Sequence, residues 1–155
     1  GLLYRLTDLL QQDLPKKETL EILLDAFFEI LGNIERAAFI LLKPGTSQIG
    51  HCISKSKGAA RSMGCGFCDR IAVWVINGGK PVVINDALNQ ETDDEIAGSL
   101  KAENIASAVC IPMMSLSGPV GAIYMDSLSK PYPFAEEDVN LFEYIANRTA
   151  AFVLS

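Results

Sequence analysis

Leu2, Leu3, Leu6, Leu9 and Leu10 recur at helical spacing, with Arg5, Asp8 and Gln12 on the other side, which predicts a helix at the start of the chain. Pro15 interrupts it. A second helix is predicted from about Glu18, because Leu20, Leu23, Leu24, Phe27, Phe28 and Leu31 form a wide apolar stripe. Gly32 and Asn33 suit its end, since both tolerate positive φ. Ala37 to Leu42 is then an apolar run of strand length. Lys43-Pro44-Gly45-Thr46-Ser47 has turn chemistry, and the more polar Gln48 to Ser54 reads as an outer strand, so the two strands form a hairpin. Lys55 to Gly64 is small and polar without periodicity and is expected to be a surface loop.

Ile71 to Ile76 is open between two readings. Its β-branched residues favour a strand, while Asp69 before it and Gly78-Gly79 after it suit the two ends of a helix. Val82-Val83-Ile84 is a short strand closed by Asn85-Asp86, and Glu91 to Ala102 is an acidic, weakly amphipathic helix carried by Ile96 and Leu100. Ser107 to Met114 and Val120 to Asp126 are strands joined by the turn Leu116-Ser117-Gly118-Pro119. Both faces of that hairpin are apolar, which places it centrally in a sheet. Pro131-Tyr132-Pro133-Phe134 leads into a last helix from about Ala135. Its first turn is acidic (Glu136, Glu137, Asp138), and its stripe is Val139, Phe142, Ile145, Thr149 and Phe152. Two hairpins flanked by helices at both chain ends indicate an α+β domain with a largely antiparallel sheet.

Composition narrows the function classes. A chain of 155 residues with 49% apolar and 21% charged residues is an ordinary folded domain, residues 1–155 as one unit. Its formal charge of −6, with no basic block, argues against a nucleic-acid surface. No apolar run approaches the ~20 residues of a membrane span, and residues 1–12 lack the pattern of a signal peptide. The four cysteines, Cys52, Cys65, Cys68 and Cys110, are read as free thiols in a reducing cytoplasm. The missing initiator Met leads to the expectation of a segment of a longer signalling protein, with residues 1–12 as a linker and dimerisation helix.

Several local motifs, taken in order, resemble a GAF domain over nearly the whole chain. Val120-Gly121-Ala122-Ile123-Tyr124-Met125-Asp126-Ser127, followed by Pro133-Phe134-Ala135-Glu136-Glu137-Asp138, resembles the family's last strand and the start of its closing helix. Ala106-Ser107-Ala108-Val109-Cys110-Ile111-Pro112 resembles the preceding strand. Gly79-Lys80-Pro81-Val82-Val83-Ile84-Asn85-Asp86 resembles the middle strand with its terminal Asp. The resemblance implies that Asp69 to Asn77 is a helix. It also implies an antiparallel sheet with a ligand pocket on one face, and with the first and last helices on the other, where they often pair with a second copy.

The family has no single ligand, so each candidate is weighed on its residues. The branch that binds cyclic nucleotides carries Asn-Lys where this chain has Asp126-Ser127, and the lost cation counts against that ligand. His51 is the only histidine, and a lone histidine in an outer strand is ordinarily a surface residue rather than a haem ligand. Cys65 and Cys68 have metal-ligand spacing but no second pair, so no metal is assigned. They also resemble part of the cysteine loop of free methionine sulfoxide reductases. Asn85 to Ala106 contains no cysteine, so the nucleophile of that branch is missing. With Asp69 opening the helix, Cys68 would sit at a helix N-terminus that favours its thiolate and a redox response. The attachment context of bilin photoreceptors is not recognisable, and the cofactor is left unknown. The acidic run Glu91 to Glu95 is read as a solvated face.

The resulting expectation is a non-catalytic sensor that binds a small molecule or responds to redox state, and that signals through its terminal helices to an output domain. Its pocket is expected to be lined by Cys65, Phe67, Cys68, Ile71, Trp74, Asn85, Asp86, Cys110 and Tyr124. Asn85 and Asp86 would supply polar contacts, and Phe67, Trp74 and Tyr124 would supply shape. A homodimer is expected, with the Leu3, Leu6 and Leu10 stripe and the Phe142, Ile145, Thr149 and Phe152 stripe buried across two subunits. The competing readings are a cysteine-dependent redox enzyme and a non-binding scaffold.

Overall fold

The structure, a computed structural model, describes residues 2–58, 60, 65–87 and 94–155. Its elements are α1 (Leu2–Gln11), α2 (Lys16–Ile30), β1 (Arg36–Leu42), β2 (Ile49–Ser56), α3 (Cys65–Gly78), β3 (Val82–Ile84), α4 (Asp94–Ala102), β4 (Ser107–Ser115), β5 (Gly118–Ser127) and α5 (Glu136–Leu154). The five strands form one sheet in the order β2-β1-β5-β4-β3, and every pairing is antiparallel. The fold is α+β, and the hairpin of β4 and β5 lies inside the sheet.

Two layers of helix cover the two faces, and the alternation of side chains along each strand decides which residue meets which layer. From β1, Ala37, Phe39 and Leu41 join Leu6 of α1, Leu20, Leu24 and Phe27 of α2, and Phe142 and Ile145 of α5 in one apolar cluster. Ala38, Ile40 and Leu42 join Ile71, Ala72, Val75 and Ile76 of α3 and Ile96 and Leu100 of α4 in the other. All seven residues of β1 are buried, as expected of a strand covered on both faces. The chain leaves one sheet edge at β2, crosses the second face as α3, and returns to the opposite edge as β3. Gly121 of β5 pairs with Leu41 of β1, and a Cβ there would stand 2.1 Å from the Ile40 carbonyl oxygen.

Several sequence expectations change. α2 starts at Lys16, directly after Pro15. It ends without a positive-φ residue: the Leu31 N–H reaches the Phe27 carbonyl, and Gly32 and Asn33 follow as an ordinary turn. Lys55 and Ser56, expected in a loop, extend β2, while most of the remaining segment to Gly64 lies outside the described residues. The ambiguous segment is helical, but Asp69 does not open it. α3 starts at Cys65, so Asp69 sits in its second turn and Cys68 is its fourth residue. Gly79 closes α3 at φ 69°, its N–H bonded to the Val75 carbonyl. The expected helix start at Glu91 lies outside the described residues, and α4 runs from Asp94. Gly118 and Pro119 belong to β5 rather than to the turn, which tightens to Leu116 and Ser117.

The two stripes proposed for a dimer are largely used within one chain. Leu6, Phe142, Ile145 and Thr149 are buried against the sheet and its helices, because α1 folds back onto α2 and α5. Among the described residues, the large apolar side chains left facing outward on α1 and α5 are Leu3, Tyr4, Tyr144 and Leu154.

Candidate ligand cleft between α3 and α4

Residues 69, 73 and 77 of α3 are spaced four apart, and so are 70 and 74, so they form two adjacent rows on one side of the helix. Ile96 and Ser99, three apart on α4, meet those rows. Asp69, Arg70, Val73, Trp74, Asn77, Ile96 and Ser99 line a cleft of about 380 Å³, within the usual range for small-ligand sites of about 300–1,000 Å³. Its floor is apolar. Trp74 keeps 43% of its surface exposed and its neighbour Val73 40%, so together they form a contiguous apolar patch open to the cleft.

The polar groups on the rim have no side-chain partners among the described residues. Among the described arginines, Arg5 pairs with Glu29, Arg36 with Asp126, and Arg148 donates to the Tyr144 hydroxyl. Arg70 has no hydrogen-bond or ion-pair partner among the described residues, and neither does Asp69, its neighbour of opposite charge. The Asn77 amide and Ser99 hydroxyl are likewise without side-chain partners there.

The expected pocket residues divide into four groups. Trp74 lines the cleft. Ile71, Cys110 and Tyr124 lie beneath it on the α3 and α4 face of the sheet, fully buried, with Cys110 and Tyr124 cross-strand partners. Burial pushes the Cys110 thiol far above its ordinary range, so it is an inert core residue. Asn85 and Asp86 sit at the end of β3, away from the cleft. Asp86 borders a separate hollow of about 300 Å³ with Lys101, Asn104 and Lys130. Cys65, Phe67 and Cys68 form the first turn of α3, and their side chains lie outside the described residues.

Asn85 has visible work elsewhere. Its Oδ1 accepts the Phe134 N–H at 2.8 Å, and its carbonyl accepts the Ser107 hydroxyl at 2.6 Å. Ser107 Oγ in turn accepts the Tyr132 N–H at 2.6 Å. Glu35 holds the same connector further back, accepting the N–H groups of Leu128 and Ser129 at 2.8 and 2.9 Å and the Ser129 hydroxyl. Partial burial raises the Glu35 carboxyl, but those hydrogen bonds and the charge of Arg36 outweigh it and hold it below its ordinary value. The segment leading into α5 is therefore tied to the ends of β1, β3 and β4.

Beneath the cleft lies a buried charge network that the sequence reading missed. Arg36 and Asp126 are directly paired across β1 and β5. Arg36 Nε and Nη2 donate to the Asp126 carboxylate at 3.0 and 2.5 Å, and the Tyr124 hydroxyl donates to the same group at 2.6 Å. Both charges are out of solvent.

With this geometry in place, comparison with known proteins settles the family. The GAF domain profile matches residues 13–153. The chain is a GAF domain. No curated protein matches it in sequence. The phycocyanobilin-bound GAF domain of a cyanobacterial phytochrome superposes with a TM-score of 0.77 at 16% identity, over 97% of this chain and 91% of that one. The GAF domain of an Acinetobacter phosphoenolpyruvate-protein phosphotransferase gives 0.74 at 13% identity, over 98% and 90%. A domain of a Sinorhizobium meliloti two-component sensor histidine kinase gives 0.61 at 20% identity, over 89% and 90%. At such identities these likenesses speak for the fold. GAF domains as a family are regulatory sensor domains. No helix among the described residues is long and apolar enough to cross a membrane.

Proposed function

We propose that this GAF domain is a regulatory sensor module that takes a small molecule in the α3 and α4 cleft and passes the change to α5. The observation that carries the reading is the half-exposed Trp74 over an apolar floor, rimmed by four polar side chains that have no side-chain partner among the described residues. Structural neighbours support a sensing role in general terms: one is described as bilin-bound, another as a domain of a sensor kinase. The route outward is physical. Asn85, at the end of β3, holds the backbone just before α5, which gives the sheet a direct hold on that helix. The ligand shifts α5 only by as much as its affinity differs between two arrangements of that connector.

In the whole protein, this reading places the domain in the cytoplasm, paired with a second copy through the outward residues Leu3, Tyr4 and Tyr144, and attached to an output domain. A redox response would rest on Cys65 and Cys68 rather than on Cys110, which burial makes inert; a cysteine-dependent reductase would still lack the nucleophile that the stretch from Asn85 to Ala106 does not supply. Native mass spectrometry of freshly purified protein, compared with the denatured mass, separates the options. A non-covalent mass increment supports the ligand sensor. A denatured mass lower by two hydrogens supports the redox form. A clean, reduced apo protein that no compound stabilises supports the scaffold.

A further inference from the structure

The rim of the cleft carries one carboxylate and one guanidinium, on consecutive residues of α3 that stand in its two adjacent rows. Each stands one helical turn from an apolar group: Val73 is four residues from Asp69, and Trp74 four from Arg70. The two charges are paired neither with each other nor with any described residue. A ligand with net negative charge would gain from Arg70 and lose to Asp69, and a net cation would do the reverse. A ligand bearing an ammonium and a carboxylate on one carbon satisfies both at once, with the guanidinium taking the carboxylate as a planar fork. From that carbon, the remainder of the ligand runs over Val73, the Trp74 ring and Ile96, toward Asn77 and Ser99.

The geometry points to a free α-amino acid with an aromatic or large apolar side chain as the ligand class of this cleft. This inference rests on the proposal that the cleft is the sensor site. Asp69 takes the ammonium, Arg70 the carboxylate, and Trp74 the side chain. The volume of about 380 Å³ is sufficient for one such molecule.

Trp74 is the only tryptophan, so its emission reports the cleft directly. The probes are L-phenylalanine, phenethylamine, which lacks the carboxylate, and 3-phenylpropionate, which lacks the amine. Phenylalanine is expected to shift Trp74 emission saturably, with each analogue about tenfold or more weaker, the usual worth of one charge-assisted hydrogen bond. Arg70→Gln should weaken phenylalanine to the level of phenethylamine, and Asp69→Asn to that of 3-phenylpropionate. Both positions lie on the solvent side of α3, and circular dichroism checks that the variants fold. An analogue that binds as tightly as phenylalanine, or a phenylalanine titration without response, overturns the inference. If phenylalanine fails while another compound from a broad library shifts Trp74 saturably, the amino-acid class falls and the cleft stands. If no compound does so, both fall.

Discussion

Asp126 accepts from Arg36 Nε and Nη2 and from the Tyr124 hydroxyl in a site closed to water. Removing one partner of such a pair leaves the other charge buried and unmatched, at about 3–5 kcal/mol. Asp126→Ala is therefore expected to lower stability by that amount in urea unfolding, whereas Asp126→Ala combined with Arg36→Met recovers much of it, since no lone charge remains. Gly121 is a steric counterpart on the same strand. With the Ile40 carbonyl 2.1 Å from where a Cβ would sit, Gly121→Ala forces β1 and β5 apart and should cost at least about 2 kcal/mol in the same measurement. Neither constraint was legible in the sequence. Arg36 precedes an apolar run and looks like a surface residue at a strand start, and only the register opposite Asp126 shows otherwise. Asp69 resembles a helix cap in the sequence because the preceding residues, Cys65 to Cys68, carry no periodic signal; the spacing of 69, 73 and 77 is the clue to its place on the cleft.

At the scale of elements, most of the fold was present in the hydrophobic pattern. β1, β4 and β5 are apolar on both faces because helices cover both faces, and the stripes of α2 and α5 mark the sides that face the sheet. The pattern could not settle α3, where β-branched residues suit a strand locally, but Ile71, Val75 and Ile76 pack as the buried side of a crossover helix. Nor could it show that α1 folds back on its own chain. The connector before α5 was legible only as Pro-rich, yet its anchors are specific. Glu35 is ionised more readily in the fold than in the unfolded chain, so its contribution is complete above the unfolded value near 4.5 and is lost as pH falls through the lower folded value. Glu35→Gln is expected to be less stable than the parent at neutral pH, with the gap closing in acid; urea midpoints measured at several pH values check this.

At the scale of the molecule, the sheet separates a face with an open cleft from a face carrying the terminal helices, and the Asn85 and Glu35 anchors join the two. With Leu6, Phe142 and Ile145 buried within the chain, the proposed association would depend on a smaller outward set, Leu3, Tyr4 and Tyr144. Sedimentation or light scattering should therefore show a dimer that Leu3→Glu combined with Tyr4→Glu dissociates without changing the unfolding midpoint extrapolated to low concentration. The central claim, that the cleft of α3 and α4 is the sensor site, is tested most directly by following Trp74 emission and thermal midpoint together while small molecules are screened. The account predicts compounds that change both, saturably and at the same concentration. Compounds that raise the midpoint while leaving Trp74 emission untouched would contradict it, because they would bind elsewhere.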